Sequence, residues 1–207
     1  MSELLHIHPV NPQQRLVERA AQTIREGGVI VYPTDSSYAL GCRLGNKAGL
    51  ERIRRIRRKE RDHDFTLICQ DLSEIATYAR IDNWVYRLLR SLTPGPYTFV
   101  LKATGEVPKR LRDPKRRSIG IRVPEHTIAQ ALLESLGEPI MSSTLLLPDD
   151  EVPLSDPEDI YQRLASQVDV VIDGGICGVE ATTVVDLSDG DLTVLRQGKG
   201  EISAFEP

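Results

Sequence analysis

The sequence predicts an α/β fold, α+β-like in the order of its elements, with helices flanking a mixed sheet. Short apolar runs typical of strands occur among amphipathic helical segments, but the two do not alternate strictly. This order favours a mixed sheet over a purely parallel one. The chain has 207 residues, of which 40% are hydrophobic and 27% charged. This length allows one substantial core and is short for two ordinary domains, so we expect a single domain over residues 1–207.

The predicted elements begin with a helix whose start is marked by Asn11 as the N-cap and Pro12 at the first helical position. Apolar residues four apart continue to Ile24, and two glycines then end the helix. The apolar run 29–32 is the first predicted strand, and 38–44 is the next. Further strands are predicted at 65–69, 98–102, 118–123, 140–145, 168–172, 182–187 and 192–196, and further helices at 47–59, 72–78, 83–91, 127–136 and 157–166.

Composition argues against several classes of protein. The three cysteines, Cys42, Cys69 and Cys177, are far apart and form no CxxC pair, so neither a disulfide framework nor a zinc knuckle is indicated. The N-terminal segment lacks the features of a signal peptide, and no apolar run is long enough for a membrane helix. We therefore expect a cytoplasmic protein without a membrane segment.

Signatures of nucleotide and metal sites are also missing from the sequence. P-loop and GxGxxG signatures are absent, and no cluster of metal ligands is evident.

Charge is distributed unevenly along the chain. Residues 1–148 carry 23 basic and 16 acidic side chains, a net charge of +7, whereas residues 149–207 carry 3 basic and 14 acidic side chains, a net charge of −11. The asymmetry indicates either a basic surface for an anionic partner or two solvated faces of opposite sign.

The most basic segment is 52–61, in which seven of ten residues are Arg or Lys. On a helix, Arg54, Arg57, Arg58 and Arg61 would share a face and repel one another, which favours contact with phosphate or RNA. The residues 115–117 form a second basic group on a predicted loop. A predicted RNA-binding set follows from these two groups, comprising Arg54, Arg58, Lys115, Arg116 and Arg117.

Hydroxyl-rich segments stand at the ends of two predicted strands. Residues 34–37 contain three hydroxyls and one carboxylate, and residues 142–144 are all hydroxylic. Ligands of open sheets bind at such strand ends. The alternative for 34–37 is an ordinary polar turn.

Arg122 lies inside an apolar strand, between Ile121 and Val123. An arginine in a strand interior needs a definite anionic partner. That partner is either a bound ligand or a carboxylate in an internal salt bridge.

Five segments, taken in order, resemble the YrdC/YciO-like family of threonylcarbamoyl-AMP synthases. They span almost the whole chain, and the segment 64–67 together with the chain length is similar to the YciO branch. The five segments are 31–41, 94–98, 119–124, 139–144 and 182–186.

The resemblance implies a twisted, open sheet around a large basic cavity, in which ATP, bicarbonate and threonine react with Mg²⁺ to give threonylcarbamoyl-AMP and pyrophosphate for the t6A modification of tRNA. It implies positioning and charge stabilisation without a protein nucleophile. The implied residues are Thr34, Tyr38, Arg122 and Ser142 for the substrate, Ser143, Thr144, Thr182 and Arg196 for the nucleotide, and Arg57, Lys59 and Arg61 as catalytic cations.

The sequence departs from the family pattern at three places. The Lys-x-Arg-Pro motif aligns either with 57–59 or with 59–61, and an acidic residue replaces its proline. Leu146 stands where the family has Asn, and an aliphatic side chain cannot replace the hydrogen bonds of an amide. Asp35 replaces a Glu. These changes predict weak or redirected synthase activity.

Two other functions remain open on the sequence. One is a non-catalytic module that binds double-stranded RNA, tRNA or ribosomal RNA, which the basic segments favour. The other is adenylation of a related carbamate made from a different amine. The expected partners are ATP, threonine, bicarbonate and RNA, and the expected assembly is a monomer or a weak dimer.

Overall fold

A computed structural model describes residues 2–58 and 65–205. Six α-helices lie in these ranges: α1 (Gln14–Arg25), α2 (Lys47–Arg57), α3 (Leu72–Tyr78), α4 (Asn83–Leu92), α5 (Thr127–Leu136) and α6 (Pro157–Leu164). The strands are β1 (Glu3–His6), β2 (Val29–Pro33), β3 (Tyr38–Arg43), β4 (Thr66–Ile68), β5 (Ala79–Arg80), β6 (Tyr97–Ala103), β7 (Ser118–Arg122), β8 (Ile140–Thr144), β9 (Val170–Asp173), β10 (Thr183–Asp186) and β11 (Thr193–Arg196).

All eleven of these strands belong to one mixed sheet. Its order is β1-β9-β2-β3-β8-β4-β7-β6-β10-β11, and β5 pairs with β6. Four pairings are parallel, as between β4 and β7, and the others are antiparallel, as between β6 and β7. The predicted fold class, a mixed α/β single domain with flanking helices, is confirmed. Its extent over 1–207 stays a prediction.

One face of the sheet carries a continuous hydrophobic core. Alternate strand residues such as Leu40, Phe99 and Ile121 point to this face and pack against apolar residues of α2, α3, α4 and α6. The helices are held there because their apolar positions recur on one side, as Leu50 and Ile53 do in α2.

The opposite face is covered over only half of its width. Helices α1 and α5 pack there against residues of β1, β9, β2, β3, β8 and β4, including Ile30 and Ile68. The residues of β7, β6 and β10 on this face are instead mostly polar or small, such as Ser118, Thr98 and Asp186. This uncovered half-face is where the site lies.

The structure corrects two details at the N-terminus. Helix α1 does not start after Asn11, because the His8 ring nitrogen accepts hydrogen bonds from the backbone N–H groups of Val10 and Asn11 at 3.2 and 3.0 Å and folds this segment into a turn. Gln13 occupies the N-cap without a side-chain cap. Strand β1 was not predicted; it pairs parallel to β9, and the His6 Nδ1 atom lies 2.7 Å from Asp173 Oδ2.

Candidate active site

The floor of the site is a row of residues that runs across five strands on the uncovered half-face. In this row Ser142 of β8 pairs with Thr66 of β4, Thr66 with Gly120 of β7, Gly120 with Val100 of β6, and Val100 with Asp186 of β10. All five residues line one cavity of about 850 Å³. The cavity exists because α1 and α5 cover only the other half of this face and because the floor side chains are mostly small.

The cavity lining is strongly cationic. Eight basic and three acidic side chains line it among the described residues, and they come from segments far apart in sequence. The basic residues are Arg54, Arg57, Lys109, Arg110, Arg112, Arg116, Arg122 and Arg196, and the acidic ones are Asp113, Glu151 and Asp186. Low-dielectric walls concentrate the field of such charges, so the lining favours a polyanionic ligand.

Arg57 reaches the cavity from the last turn of α2. The packing of Ile53 and Ile56 into the core turns this side of the helix towards the sheet, and Arg57 is only 7% exposed. Its NH1 group donates to Ser143 Oγ, and its Nε donates to the Leu146 carbonyl oxygen at 3.4 Å. The guanidinium is therefore fixed at the strand end of β8, beside the residue that replaces the family asparagine.

Carboxylates pair with several other arginines of the segment 52–58. Arg52 pairs with Asp169 at 2.6 Å, and Arg54 donates to Glu51 at 2.7 Å while lying over the Phe65 ring. Arg58 is exposed, 3.7 Å from Asp149. Of the predicted face, Arg54 and Arg57 both line the cavity, Arg58 at the C-cap lies outside the lining, and Arg61 lies outside the described residues.

Lys59 and Arg61 lie outside the described residues. Their roles as catalytic cations, and the choice between the two alignments of the Lys-x-Arg motif, remain predictions.

Arg122 lines the cavity and forms an internal salt bridge. Its NH2 group donates to Asp35 Oδ1, and its NH1 group donates to Ser36 Oγ at 3.0 Å. Both charged side chains are about nine-tenths buried. Burial lowers the pKa of Arg122, while the Asp35 carboxylate raises it again. The structure thus contains the internal partner that the sequence left open as one of two possibilities.

Several of the predicted hydroxyl ligands already have protein partners. Thr34 lines the cavity, but its hydroxyl donates to the Ser37 carbonyl at 2.7 Å and accepts from two backbone N–H groups, which closes the turn 34–37. Ser142 Oγ accepts from the Tyr32 hydroxyl at 2.8 Å and donates to the Leu40 carbonyl at 3.0 Å. Burial raises the pKa of Tyr32 to about 12, so it remains a donor.

Tyr38 is the predicted substrate residue that the structure keeps away from the cavity lining. It is fully buried, its hydroxyl donates to the Gly175 carbonyl at 2.7 Å, and it accepts from the Gly174 N–H at 3.2 Å. This arrangement corrects the expected direct role of Tyr38, because its phenol holds the 174–175 turn instead.

Two of the predicted nucleotide residues, Thr182 and Arg196, meet at the wall next to β10 and β11. Arg196 donates to the Thr182 carbonyl at 3.0 Å, and Thr182 Oγ1 lies 2.9 Å from Thr98 Oγ1. Ser143 and Thr144 line the same cavity from β8. The four residues therefore line one cavity from two separate parts of the sheet.

The predicted RNA-binding set is divided in space. Arg54 and Arg116 line the cavity, and Arg116 also pairs with Asp186 at 2.6 Å. Arg58, Lys115 and Arg117 are exposed and are not part of the lining.

The sequence prediction missed the cations of residues 109–112. Lys109, Arg110 and Arg112 form a wall of the cavity after the β6 strand. Arg112 is held by carbonyl oxygens of Val107 and Gly105, which fixes the loop. The charge run extends from 109 to 117, so extending the basic group upstream would have found them.

The cysteines are poor nucleophiles. Cys177 lies near the site, with its Sγ 3.7 Å from the Thr34 carbonyl oxygen, and burial raises its pKa to about 11. Burial raises the pKa of Cys42 to about 12. Both thiols are protonated at neutral pH, whereas thiolates are the reactive form.

The carboxylates of the cavity do not form a preformed Mg²⁺ site. Asp186 is engaged by Arg116 and by Ser188, and Asp113 accepts backbone hydrogen bonds from Lys115 and Arg116. Groups of three or more possible metal ligands are absent from residues 2–58 and 65–205.

No helix in the described part of the chain has the length and apolar character needed to span a membrane.

A mixed sheet with helices over one face and half of the other, and with a cationic cavity on the remaining half-face, defines an α/β protein built around a cationic pocket.

The chain belongs to the Sua5/YciO/YrdC family, whose model, described as telomere recombination, matches residues 22–198. It is 55% identical to YciO of Escherichia coli (strain K12) over 205 residues, which are 99% of this chain and 100% of that relative. The crystal structure of E. coli YciO superposes with a TM-score of 0.95 at 54% identity and covers 100% of both chains. The family resemblance and its YciO branch are confirmed.

More distant relatives include proteins named for an activity. The threonylcarbamoyl-AMP synthase of Nitrosococcus oceani is 36% identical over 129 residues, which are 62% of this chain and 69% of that protein. P. abyssi Sua5, whose crystal structure is a complex with L-threonine, shares the fold with a TM-score of 0.87 at 23% identity, over 95% of this chain and 58% of that one. These relatives link the chain to the synthases at the level of the family.

Proposed function

We propose that this protein is an enzyme that condenses ATP, bicarbonate and threonine to threonylcarbamoyl-AMP and pyrophosphate. The observation that carries the proposal is the convergence of eight cationic side chains on one cavity large enough for a nucleotide and an amino acid. The relationship to threonylcarbamoyl-AMP synthases supports the same reaction.

The reaction has two steps. In the first, the threonine amine attacks the carbon of bicarbonate, a C–N bond forms, and water leaves to give a carbamate. In the second, a carbamate oxygen attacks the α-phosphorus of ATP, and the bond between the α-phosphorus and the bridging oxygen breaks as pyrophosphate leaves with the electron pair. Both reactants of the second step are anions, so fixed cations must offset their repulsion.

The positions of the cavity residues fit the two steps of the reaction. In the proposed enzyme Arg57 and Arg196, on opposite walls, hold the triphosphate, and Ser143, Thr144 and Thr182 line the nucleotide path. Arg122 and Thr34 mark the amino-acid end. Holding three reactants in one cavity removes most of the entropic cost of bringing them together. Mg²⁺ would arrive bound to the phosphates of ATP, because the cavity carboxylates do not supply a ligand set for it.

Leu146, which replaces the family asparagine, changes how the proposed enzyme would hold the nucleotide base. Its side chain lines the cavity and offers no hydrogen bond, while its carbonyl oxygen accepts from Arg57. In the proposed enzyme the base is held by apolar contacts at this position, which fits a lower activity than in relatives with an amide there.

RNA binding by Arg54, Arg58, Lys115, Arg116 and Arg117 remains a separate prediction. Three of them, Arg58, Lys115 and Arg117, are exposed outside the cavity lining, where an RNA backbone has access to them.

The proposed reaction is tested by pyrophosphate release. Purified protein with ATP and Mg²⁺ is expected to release pyrophosphate only when both threonine and bicarbonate are present. The N. oceani synthase serves as the positive control, and serine and glycine replace threonine in parallel to identify the amine. Release that is independent of the amino acid, or no release while the control enzyme works, would contradict the proposed function.

A further inference from the structure

Exposed apolar side chains line part of the cationic cavity. Seven large hydrophobic side chains are exposed in the described part of the chain, and three of them, Val152, Val179 and Leu195, belong to the cavity lining. Leu146 and Pro153 are two further apolar residues of this lining, and the five together are the apolar rim. Exposed apolar side chains that gather at one cavity indicate a ligand with apolar surface of its own.

Hydrogen bonds join the three segments that carry the apolar rim. These segments are the loop after β8, the loop between β9 and β10, and strand β11 with the residues that follow it. The Cys177 N–H donates to the Ser155 carbonyl at 3.1 Å and joins the first two segments. The Lys199 N–H donates to the Ala181 carbonyl at 2.8 Å and joins the second to the third. The rim is therefore one connected surface.

The apolar rim suits one part of a nucleotide. A nucleoside triphosphate combines a strongly anionic chain with a flat ring system whose faces are largely apolar. The phosphates belong with Arg57 and Arg196, so the base is the part that can cover apolar side chains. Arg57 Nε donates to the Leu146 carbonyl oxygen at 3.4 Å, which places the cationic part of the lining directly beside the rim.

Several backbone groups of the loop after β8 cannot read the edge of a base. The N–H groups of Leu146 and Asp150 donate to nearby backbone carbonyl oxygens at 3.0 and 3.1 Å. Pro148 and Pro153 have no N–H group. These four residues therefore offer a base no free backbone donor.

Two polar side chains of the lining are neighbours of the rim residues in sequence, and neither selects adenine. The Thr144 hydroxyl can donate or accept, so it adapts to either purine. The Glu151 carboxylate only accepts, and both purines have donors for it, since adenine carries an amino group at C6 and guanine carries one at C2.

We propose that the nucleobase lies against the apolar rim and is held there by apolar contact, so that the protein takes purine nucleoside triphosphates without selecting adenine. The inference rests on the proposed function for the presence of a nucleotide in the cavity. When guanine replaces adenine on such a surface, no fixed donor or acceptor of the protein is left unpaired, so discrimination is weak.

The inference is tested by isothermal titration calorimetry with Mg²⁺ and without threonine or bicarbonate. The probes are the α,β-methylene analogues of ATP, GTP and CTP, in which the bond broken by the proposed reaction is blocked. The ATP and GTP analogues are expected to bind within about threefold of each other, a difference smaller than one base-reading hydrogen bond would produce. The CTP analogue is expected to bind at least about threefold more weakly, because its single ring covers less apolar surface.

Leu146→Asn is expected to introduce a preference for adenine. An amide can pair with the N6 and N7 atoms of adenine together, but not with the corresponding edge of guanine in the same orientation. This variant is therefore expected to bind the ATP analogue at least about fivefold more tightly than the GTP analogue.

Val152→Ala is expected to weaken both purine analogues by the same factor, at least about threefold, because it removes apolar contact that the two bases share. Val10→Ala is the matched control. Both valines are more than half exposed, but Val10 is not part of the cavity lining, so its replacement is expected to leave the affinities unchanged.

Four results would overturn the inference. They are a preference of the wild-type protein for the ATP analogue above about threefold, a CTP analogue that binds as tightly as the purines, an unchanged ratio in Leu146→Asn, and equal affinities in Val152→Ala and Val10→Ala. If Leu146→Asn does not fold, the three analogues on the wild-type protein and Val152→Ala still decide the matter. Equal binding of both purines without pyrophosphate release would contradict only the proposed reaction, whereas release that requires ATP and excludes GTP would contradict only this inference.

Discussion

Replacing Arg122 by Leu is expected to destabilise the protein by about 3–5 kcal/mol, because the buried Asp35 carboxylate loses its partner. Both side chains of the pair are about nine-tenths buried, so water cannot replace the lost hydrogen bond. Urea unfolding followed by circular dichroism measures the change as a shift of the midpoint at constant slope.

The exposed ion pair between Arg43 and Glu138 provides the matched control. Its atoms approach to 2.6 Å, but the Arg43 and Glu138 side chains keep 49% and 30% of their surface exposed, so water can replace the lost contact. Arg43→Ala is therefore expected to cost less than about 1 kcal/mol. The double variant Arg122→Leu with Asp35→Asn is expected to recover part of the loss, because no unpaired charge then remains. An effect of Arg122→Leu no larger than that of Arg43→Ala would contradict the buried pair.

Replacing Arg57 by Gln is expected to lower the rate of threonine-dependent pyrophosphate release by about 10²–10³-fold, as the loss of one preorganised charge-stabilising donor does in other enzymes. Glutamine can still donate to Ser143 or to the Leu146 carbonyl, so the fold should persist. The measurement is kcat for pyrophosphate release at saturating ATP, with the unfolding midpoint as the check on stability.

Arg55 on the same helix serves as the control for Arg57. It is exposed and is not part of the cavity lining. Arg55→Gln is expected to leave the rate nearly unchanged, because a surface substitution usually alters energies by no more than about 0.5 kcal/mol. Equal rate losses in both variants would contradict a specific role for Arg57. They would show that the rate depends on the total charge of α2.

The sequence was a good guide to where helices and strands lie, because both depend on short-range periodicity. The apolar run before Pro33 and the stripe of α5 each occupy the predicted place. Strand β1 was missed because it has only four residues and is stabilised by pairing with β9. The paired residues His6 and Asp173 are 167 positions apart in the sequence.

The cavity itself could not be derived from local patterns. Its floor depends on the register that aligns Ser142, Thr66 and Gly120 across three strands, and on helices that cover only half of the face. The expectation of a large basic cavity came instead from the family resemblance. The partner of Arg122 is Asp35, which lies 87 positions away, and spacing alone left a ligand and an internal carboxylate equally open.

Individual side-chain roles were the hardest part to predict. Tyr38 lies in the expected motif, but strand alternation directs it to the core face, where its hydroxyl binds the 174–175 turn. The cations at 109–112 were missed because their loop carries no periodic pattern and reaches the cavity only after the chain folds back between β6 and β7.

The most direct test is a crystal structure of the protein with a non-hydrolysable ATP analogue and L-threonine. We expect the triphosphate within hydrogen-bond distance of Arg57 and Arg196, and the threonine carboxylate at Arg122, with both ligands in the cavity on the half-face that α1 and α5 leave open. A nucleotide bound on an outer surface, or an empty cavity at saturating concentrations of both ligands, would contradict the account.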